Sequence, residues 1–321
     1  MDRERLLRNA EAEPLVLPYD ERPMQTSAST PTDRPVPGDG VSLHARDWGG
    51  GGRPVVLLHG LASNARIWDG VAPRLVGAGL RVVALDLRGH GDSDQPGDGY
   101  GFETVGRDLE AALAALGLER PVLAGHSWGA SVALEYAAGR PGALAGLALV
   151  DGGLLGVTEW AGTTREEVRR TMAPPRFAVP LADWLARAKR FDPGGSGGRP
   201  WVRDHLRNGV EVDDRGVARS RFRFGNHLQV VDALYDHWPP DLYPLVDCPV
   251  LLCPAGDPGG PGPIAGTKPG AVARALALLP SASVTWFEDT MHDIPLQRPA
   301  ELATELARFT ATLDEEVPGR G

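Results

Sequence analysis

The chain is short of several things that would point to particular functions. It has two cysteines in 321 residues, Cys248 and Cys253. They lie in or beside one predicted strand at an odd offset, which puts them on opposite faces and makes them poor disulfide partners. Two buried thiols in a reducing compartment is the expectation. No apolar run reaches the roughly 18 residues a membrane-spanning helix needs, so no membrane association is expected. The opening MDRERLLRNAEAE lacks the apolar core of a signal peptide, and a cytoplasmic location follows as the default. Positive charge is also in deficit, with 33 Lys and Arg against 42 Asp and Glu and a net charge of −9. No basic block is interleaved with aromatics, so a nucleic-acid partner is not expected. The densest basic stretch, Arg215 to Arg223, reads as a solvated face rather than a phosphate groove.

What is present suits a globular protein: 42% hydrophobic and 23% charged residues. The length allows one large domain with an insertion, or two domains. There is no internal repeat. Residues 1–40 carry many prolines, serines and threonines without periodicity and read as a loosely ordered arm. From residue 41 the pattern changes. VSLHARDW alternates as a half-exposed strand does. Short apolar runs then read as buried strands: VVLLH (55–59), VVAL (82–85), PVLAG (121–125), LALV (147–150), VLLC (250–253) and, more weakly, VTWF (284–287). Between them lie amphipathic helical patterns, such as Phe102, Val105, Leu109, Leu113 and Leu116. Buried strands alternating with helices predict a mostly parallel sheet covered on both faces, an α/β fold. Roughly 100 residues interrupt this alternation between LALV and VLLC. They read as helical, with a flexible GGSGG at 194–198. The predicted layout is a core of 41–152 and 246–321, with an all-helical cap at 153–245 over the strands' C-terminal edge, where ligands bind in open α/β sheets.

Three motifs sit at strand ends. In VLAGHSWGASVA (122–133) a strand passes into a helix at Gly125-His126-Ser127-Trp128-Gly129. The glycines flanking Ser127 allow a sharp, strained turn that lifts the hydroxyl out of the sheet, the G-x-S-x-G nucleophile elbow. The following helix turns its positive end toward a developing oxyanion. In VVLLHGLASNARIW (55–68) a strand ends in His59-Gly60. Backbone N–H groups of Leu61 and Trp128 are candidates for an oxyanion hole, and His59 reads as a brace for the loop. In VVALDLRGHGDSDQP (82–96) His90 and Asp92 have no partners at metal-ligand spacing, so a structural loop is expected and no metal or cofactor. Serine needs a general base. Of eight histidines, His292 is the candidate, on a loop after VTWF and before the Pro-started DIPLQRPAELATELARF.

HGLASNARIW, DLRGHGDSD, GHSWGA and MHDIPLQRP, in that order, resemble the α/β-hydrolase fold with a helical cap over residues 41 to 314. The resemblance implies Leu61 and Trp128 as the oxyanion positions, through main-chain groups. It implies a third member, an acid that orients His292. Asp257 follows VLLC, the family's commonest place, but PAGDPGG departs from the usual G-x-x-D wording. Asp151 follows LALV, where some members take their acid. Both stay open, with Asp151 preferred because a strand end beside the elbow is a firmer platform than a glycine-rich loop. Asp293 is adjacent to His292, and neighbouring side chains diverge. A serine at the elbow argues against the epoxide hydrolases and haloalkane dehalogenases of this fold, which use aspartate there.

The expected activity is therefore cofactor-independent serine hydrolysis of a small to medium, largely apolar ester, lactone or thioester, through an acyl-enzyme on Ser127. The alternatives are acyl transfer or carbon–carbon bond hydrolysis on the same residues, or a slow-turnover receptor of this fold. Trp160, Trp184, Trp201 and Trp238 in the insertion either line an apolar pocket or form the cap's own core. The partner is a small acyl substrate, and a homo-oligomer is left open.

Overall fold

A computed structural model describes residues 30–191, 199–256 and 266–315. Residues 1–29, the GGSGG stretch and Asp257 with its loop lie outside the described residues. Eight strands form the main sheet: β1 (Thr32–Pro37), β2 (Ser42–Gly49), β3 (Pro54–Leu58), β4 (Arg81–Asp86), β5 (Val122–His126), β6 (Gly146–Val150), β10 (Val250–Cys253) and β11 (Ala282–Val284), the numbers β7 to β9 falling in the cap. Their order is β1-β2-β4-β3-β5-β6-β10-β11. β1 and β2 are antiparallel to their neighbours, and β4 through β11 run parallel.

The inner positions of the parallel strands are apolar because both faces are covered. Val56, Leu58, Val83, Leu85 and Leu123 point to one side. There they meet α2 (Phe102–Leu116) and α3 (Trp128–Gly139). The alternate residues Val55, Leu57, Val82, Ala84, Val122 and Ala124 point to the other. They pack on α1 (Ala72–Gly77) and α11 (Pro299–Glu315). This is the α/β-hydrolase fold with a mostly parallel sheet flanked by helices.

Three expectations need correction. The loosely ordered arm does not extend to residue 40: Thr32–Pro37 pairs along β2 from Thr32↔Asp47 to Pro37↔Ser42. Its prolines are tolerated because the strand lies at the sheet edge. The last strand is Ala282–Val284, earlier than VTWF, and Phe287 joins only through an isolated bridge to Ala255.

The insertion is also not all-helical. It holds α4 (Arg165–Thr171), α5 (Leu181–Leu185), α6 (Pro200–Asn208), α7 (Phe224–Asp236) and α8 (Pro239–Leu242). It also carries a three-stranded antiparallel sheet of β7 (Val179–Pro180), β8 (Val210–Val212) and β9 (Val217–Ser220), ordered β7-β9-β8. Gly216, at φ 75°, closes the β8–β9 hairpin with Asp213, a turn conformation glycine adopts without strain. Two arginines in and beside this hairpin pair with acids: Arg219 with Asp213, and Arg221 with Asp92 of the core. Cys248 and Cys253 are both buried and free. Among the described residues, no helix is long and apolar enough to cross a membrane.

Candidate active site

Ser127 sits between β5 and α3 with φ 55° and ψ −120°, a conformation costly for a residue with a Cβ. Its surroundings over-determine the turn. Ser127 N–H donates to the Val150 carbonyl at 2.9 Å, and Ala130 N–H donates to the Ser127 carbonyl at 3.0 Å. A Cβ on Gly129 would stand 2.5 Å from the His59 carbonyl oxygen, and one on Gly125 would overlap the Gly129 carbonyl. The flanking glycines are therefore required by close backbone approach between β3, β5 and α3.

His292, on the loop before α10 (Ile294–Gln297), faces Ser127. Its Nε2 is 2.8 Å from Ser127 Oγ, and its Nδ1 is 2.7 Å from Asp151 Oδ2. Asp151 stands at the end of β6 with φ 44°. Its backbone N–H donates to the Cys253 carbonyl at 2.9 Å, which ties it to β10. Asp151 Oδ1 accepts from Ala255 N–H at 2.8 Å and from Lys268 Nζ at 2.7 Å. Burial alone would raise the Asp151 carboxyl. The hydrogen bond and charge of His292, with the Lys268 ammonium, instead hold it at about 2. Burial works against charge on His292 as well, yet the hydrogen bond and charge of Asp151 outweigh it and raise its pKa above the ordinary value.

Of the two candidate acids, the structure brings Asp151 to His292, and Asp257 lies outside the described residues. Sequence reasoning missed Lys268. No local pattern marks it, since it reads as the first residue of a helix.

Gly60 passes so close to the elbow that a Cβ there would stand 3.0 Å from Ser127 Cβ. Leu61 and Trp128 both border the cavity beside Ser127. His59 and His90 serve the loop. His59 Nδ1–H donates to the Gly60 carbonyl at 2.7 Å while its Nε2 accepts from Leu87 N–H at 3.0 Å. His90 Nδ1–H donates to the Arg88 carbonyl at 2.9 Å, and its Nε2 accepts from Ala62 N–H at 3.2 Å. Both rings are fully buried, and burial lowers both pKa values. His90 and Asp92 do not come together. Asp92 instead lies near His44 and Asp86, with donor atoms within 4.8 Å of one another. These groups are already engaged: His44 Nδ1 with Asp86 Oδ2 at 2.8 Å, Asp86 Oδ1 with Ala65 N–H at 2.6 Å, and Asp92 with Arg221.

A cavity of about 430 Å³ opens at Ser127. Its walls are mostly apolar, with Leu154, Leu155, Val157, Trp160, Met172 and Leu234 from the segment after β6 and from the cap. Of the four cap tryptophans, Trp160 borders the cavity. Trp184 donates to the Leu206 carbonyl at 2.7 Å and stacks on Phe177, so it belongs to the cap's own packing.

Known proteins resemble this chain in part and in whole. AB hydrolase superfamily protein YisY of Bacillus subtilis (strain 168) is 39% identical over 103 residues, 32% of this chain and 38% of that protein. Non-heme chloroperoxidase CPO-A1 of Kitasatospora aureofaciens is 42% identical over 98 residues, 30% of this chain and 35% of that protein. The matched stretch thus spans well under half the length of these relatives. Among solved structures, E-2-(acetamidomethylene)succinate hydrolase superposes with a TM-score of 0.69 at 20% identity, covering 87% of this chain and 99% of that one. The thioesterase domain from the curacin biosynthetic pathway does so with a TM-score of 0.69 at 20% identity, over 86% and 99% of the two chains. At that identity the likeness is one of fold. A family model described as the alpha/beta hydrolase family matches residues 55–305, and by that match the chain belongs to the alpha/beta hydrolase family of enzymes.

Proposed function

We propose that this enzyme is a serine hydrolase that cleaves a small to medium, largely apolar carboxylic ester, lactone or thioester. The observation that carries the reading is the hydrogen-bonded series from Ser127 Oγ to His292 Nε2 at 2.8 Å and from His292 Nδ1 to Asp151 Oδ2 at 2.7 Å. In this reading His292 Nε2 takes the hydroxyl proton as Ser127 Oγ attacks the carbonyl carbon. Asp151 keeps the Nδ1–H tautomer in place and stabilises the imidazolium. The N–H groups of Leu61 and Trp128 receive the oxyanion. His292 then returns the proton to the departing alcohol or thiol. A water attacks the acyl-enzyme with His292 again as base, releasing the acid and restoring Ser127. The apolar cavity wall favours an acyl group without charge.

A fluorophosphonate probe tests the nucleophile: it should label the wild type and not Ser127→Ala. Absence of labelling on folded wild-type protein would count against the reading. A panel of esters and lactones graded by acyl length then assigns the substrate. The relatives named chloroperoxidase support a second reading in which hydrogen peroxide replaces water at deacylation, giving a peroxy acid and free Ser127. Running the panel with and without hydrogen peroxide separates the two.

A further inference from the structure

Lys268 opens α9 (Lys268–Leu278) with its ammonium between two oxygens, Asp151 Oδ1 at 2.7 Å and the Ala255 carbonyl at 2.8 Å. Its side chain is 19% exposed and borders the same cavity as Ser127. Three features set it apart. The chain has two lysines, Lys189 and Lys268, against 31 arginines, so its general cation is arginine. A cation in the first turn also opposes the helix dipole, so the position is not explained by helix stability. Finally, Lys268 completes a division of Asp151 into two ends: Oδ2 faces His292, while Oδ1 is held by Ala255 N–H and the ammonium.

We propose that Lys268 is a positioning residue of this site, one that fixes which oxygen of Asp151 faces His292 and offsets part of that acid's charge. The proposal rests on reading Ser127, His292 and Asp151 as a hydrolytic set. Four charged or titratable groups bear on His292: Asp151 from the end of β6, Asp293 beside it on its own loop, His126 from the end of β5, and Lys268 from α9. The two acids favour the imidazolium, and Lys268 opposes it. Without that ammonium His292 would hold its proton to higher pH, and less of it would be free to act as base near neutrality. Asp151 would also lose one of the two donors on Oδ1.

The test is a titration that needs no substrate. In protein labelled with ¹³C-histidine, the His292 ring signal is assigned by its loss in His292→Gln and followed against pH. Lys268→Met keeps the methylene stem and removes the charge. It should move the His292 titration upward by about half a pH unit or more. Lys268→Arg, which keeps the charge, should move it less. The acid limb of kcat/KM on p-nitrophenyl acetate should move in step. If Lys268→Met does not fold, Lys268→Gln serves the same comparison. A folded variant whose His292 titration stays at the wild-type value, or moves down, overturns the proposal. Failure of the wild type to label with fluorophosphonate would overturn the hydrolase reading instead, and the titration tells the two failures apart.

Discussion

The imidazole of His126 donates from Nε2 to the carbonyl oxygen of His292 at 2.9 Å, so the residue before Ser127 holds the backbone of the histidine that faces it. The ring is 2% exposed. Its Nδ1 has no hydrogen-bond partner among the described residues, which fits a neutral ring with its proton on Nε2. Burial and the neighbouring His292 depress its pKa to about 4. The tie between nucleophile loop and base loop is therefore made by a ring whose burial favours the neutral form.

From this follows a loss of stability in mild acid. A folded pKa of about 4 lies below the unfolded value of 6.5, so between those values the unfolded chain binds the extra proton. The stabilising contribution is full above pH 6.5 and is lost as pH falls toward 4. His59, His90, His205 and His227 shift in the same direction by burial, while His44 and His292 shift in the opposite one. Thermal melts should show the midpoint falling between pH 7 and pH 4.5. In His126→Gln, whose amide can donate to His292 without titrating, the fall should be smaller. An equal fall in both proteins would count against this assignment.

The elbow makes a sharp prediction about two glycines in one helix. Gly129→Ala would place a methyl 2.5 Å from the His59 carbonyl oxygen and 2.7 Å from that of Leu58, both backbone atoms that cannot give way. The cost should reach about 3 kcal/mol or more. Gly139, ten residues on in α3, has no heavy atom within 4 Å of an added Cβ. Gly139→Ala should leave stability unchanged or raise it by about 0.5–1 kcal/mol through helix propensity. Denaturant midpoints of the two variants provide the comparison.

The acid can be tested by exchange of a single atom. Asp151→Asn removes the charge and presents an amide to His292 Nδ1, favouring the wrong tautomer for a base at Nε2. The rate on an activated ester should fall by about 10⁴-fold while the fold is retained. Asp257→Asn should cost far less. The reverse ranking, or equal mild losses, would remove Asp151 from the role proposed for it.

How much of this was legible in the sequence depends on the range of the interaction. The apolar runs of β3 to β6 and β10 were readable because strands covered on both faces are apolar at consecutive inner positions. Ser127 and His59-Gly60 were readable because a backbone turn between strand and helix leaves its mark within five residues. The β8–β9 hairpin was missed although V-E-V and V-A-R-S alternate around Asp213 and Gly216, because both strands are short and lie among helical patterns. The choice between Asp151 and Asp257 is of another kind. It depends on where the His292 loop lands relative to β6 and β10, and on Lys268, 117 positions from Asp151. No local spacing encodes such an encounter.

Substrate size should be set by the cap side of the cavity. Leu234 on α7 is 7% exposed and borders the space of about 430 Å³ above Ser127. Leu234→Trp puts an indole into that space and shortens the room for an acyl chain. The ratio of kcat/KM for p-nitrophenyl octanoate to that for the acetate should drop about tenfold or more, the size of effect expected when a few methylenes lose their pocket. The acetate itself should react within about threefold of wild type, since its methyl does not reach the cap. Met172→Ala, on the same wall, should shift the ratio the other way. If octanoate and acetate fall together in Leu234→Trp, the acyl chain does not occupy this part of the cavity, and the specificity must be set elsewhere around Ser127.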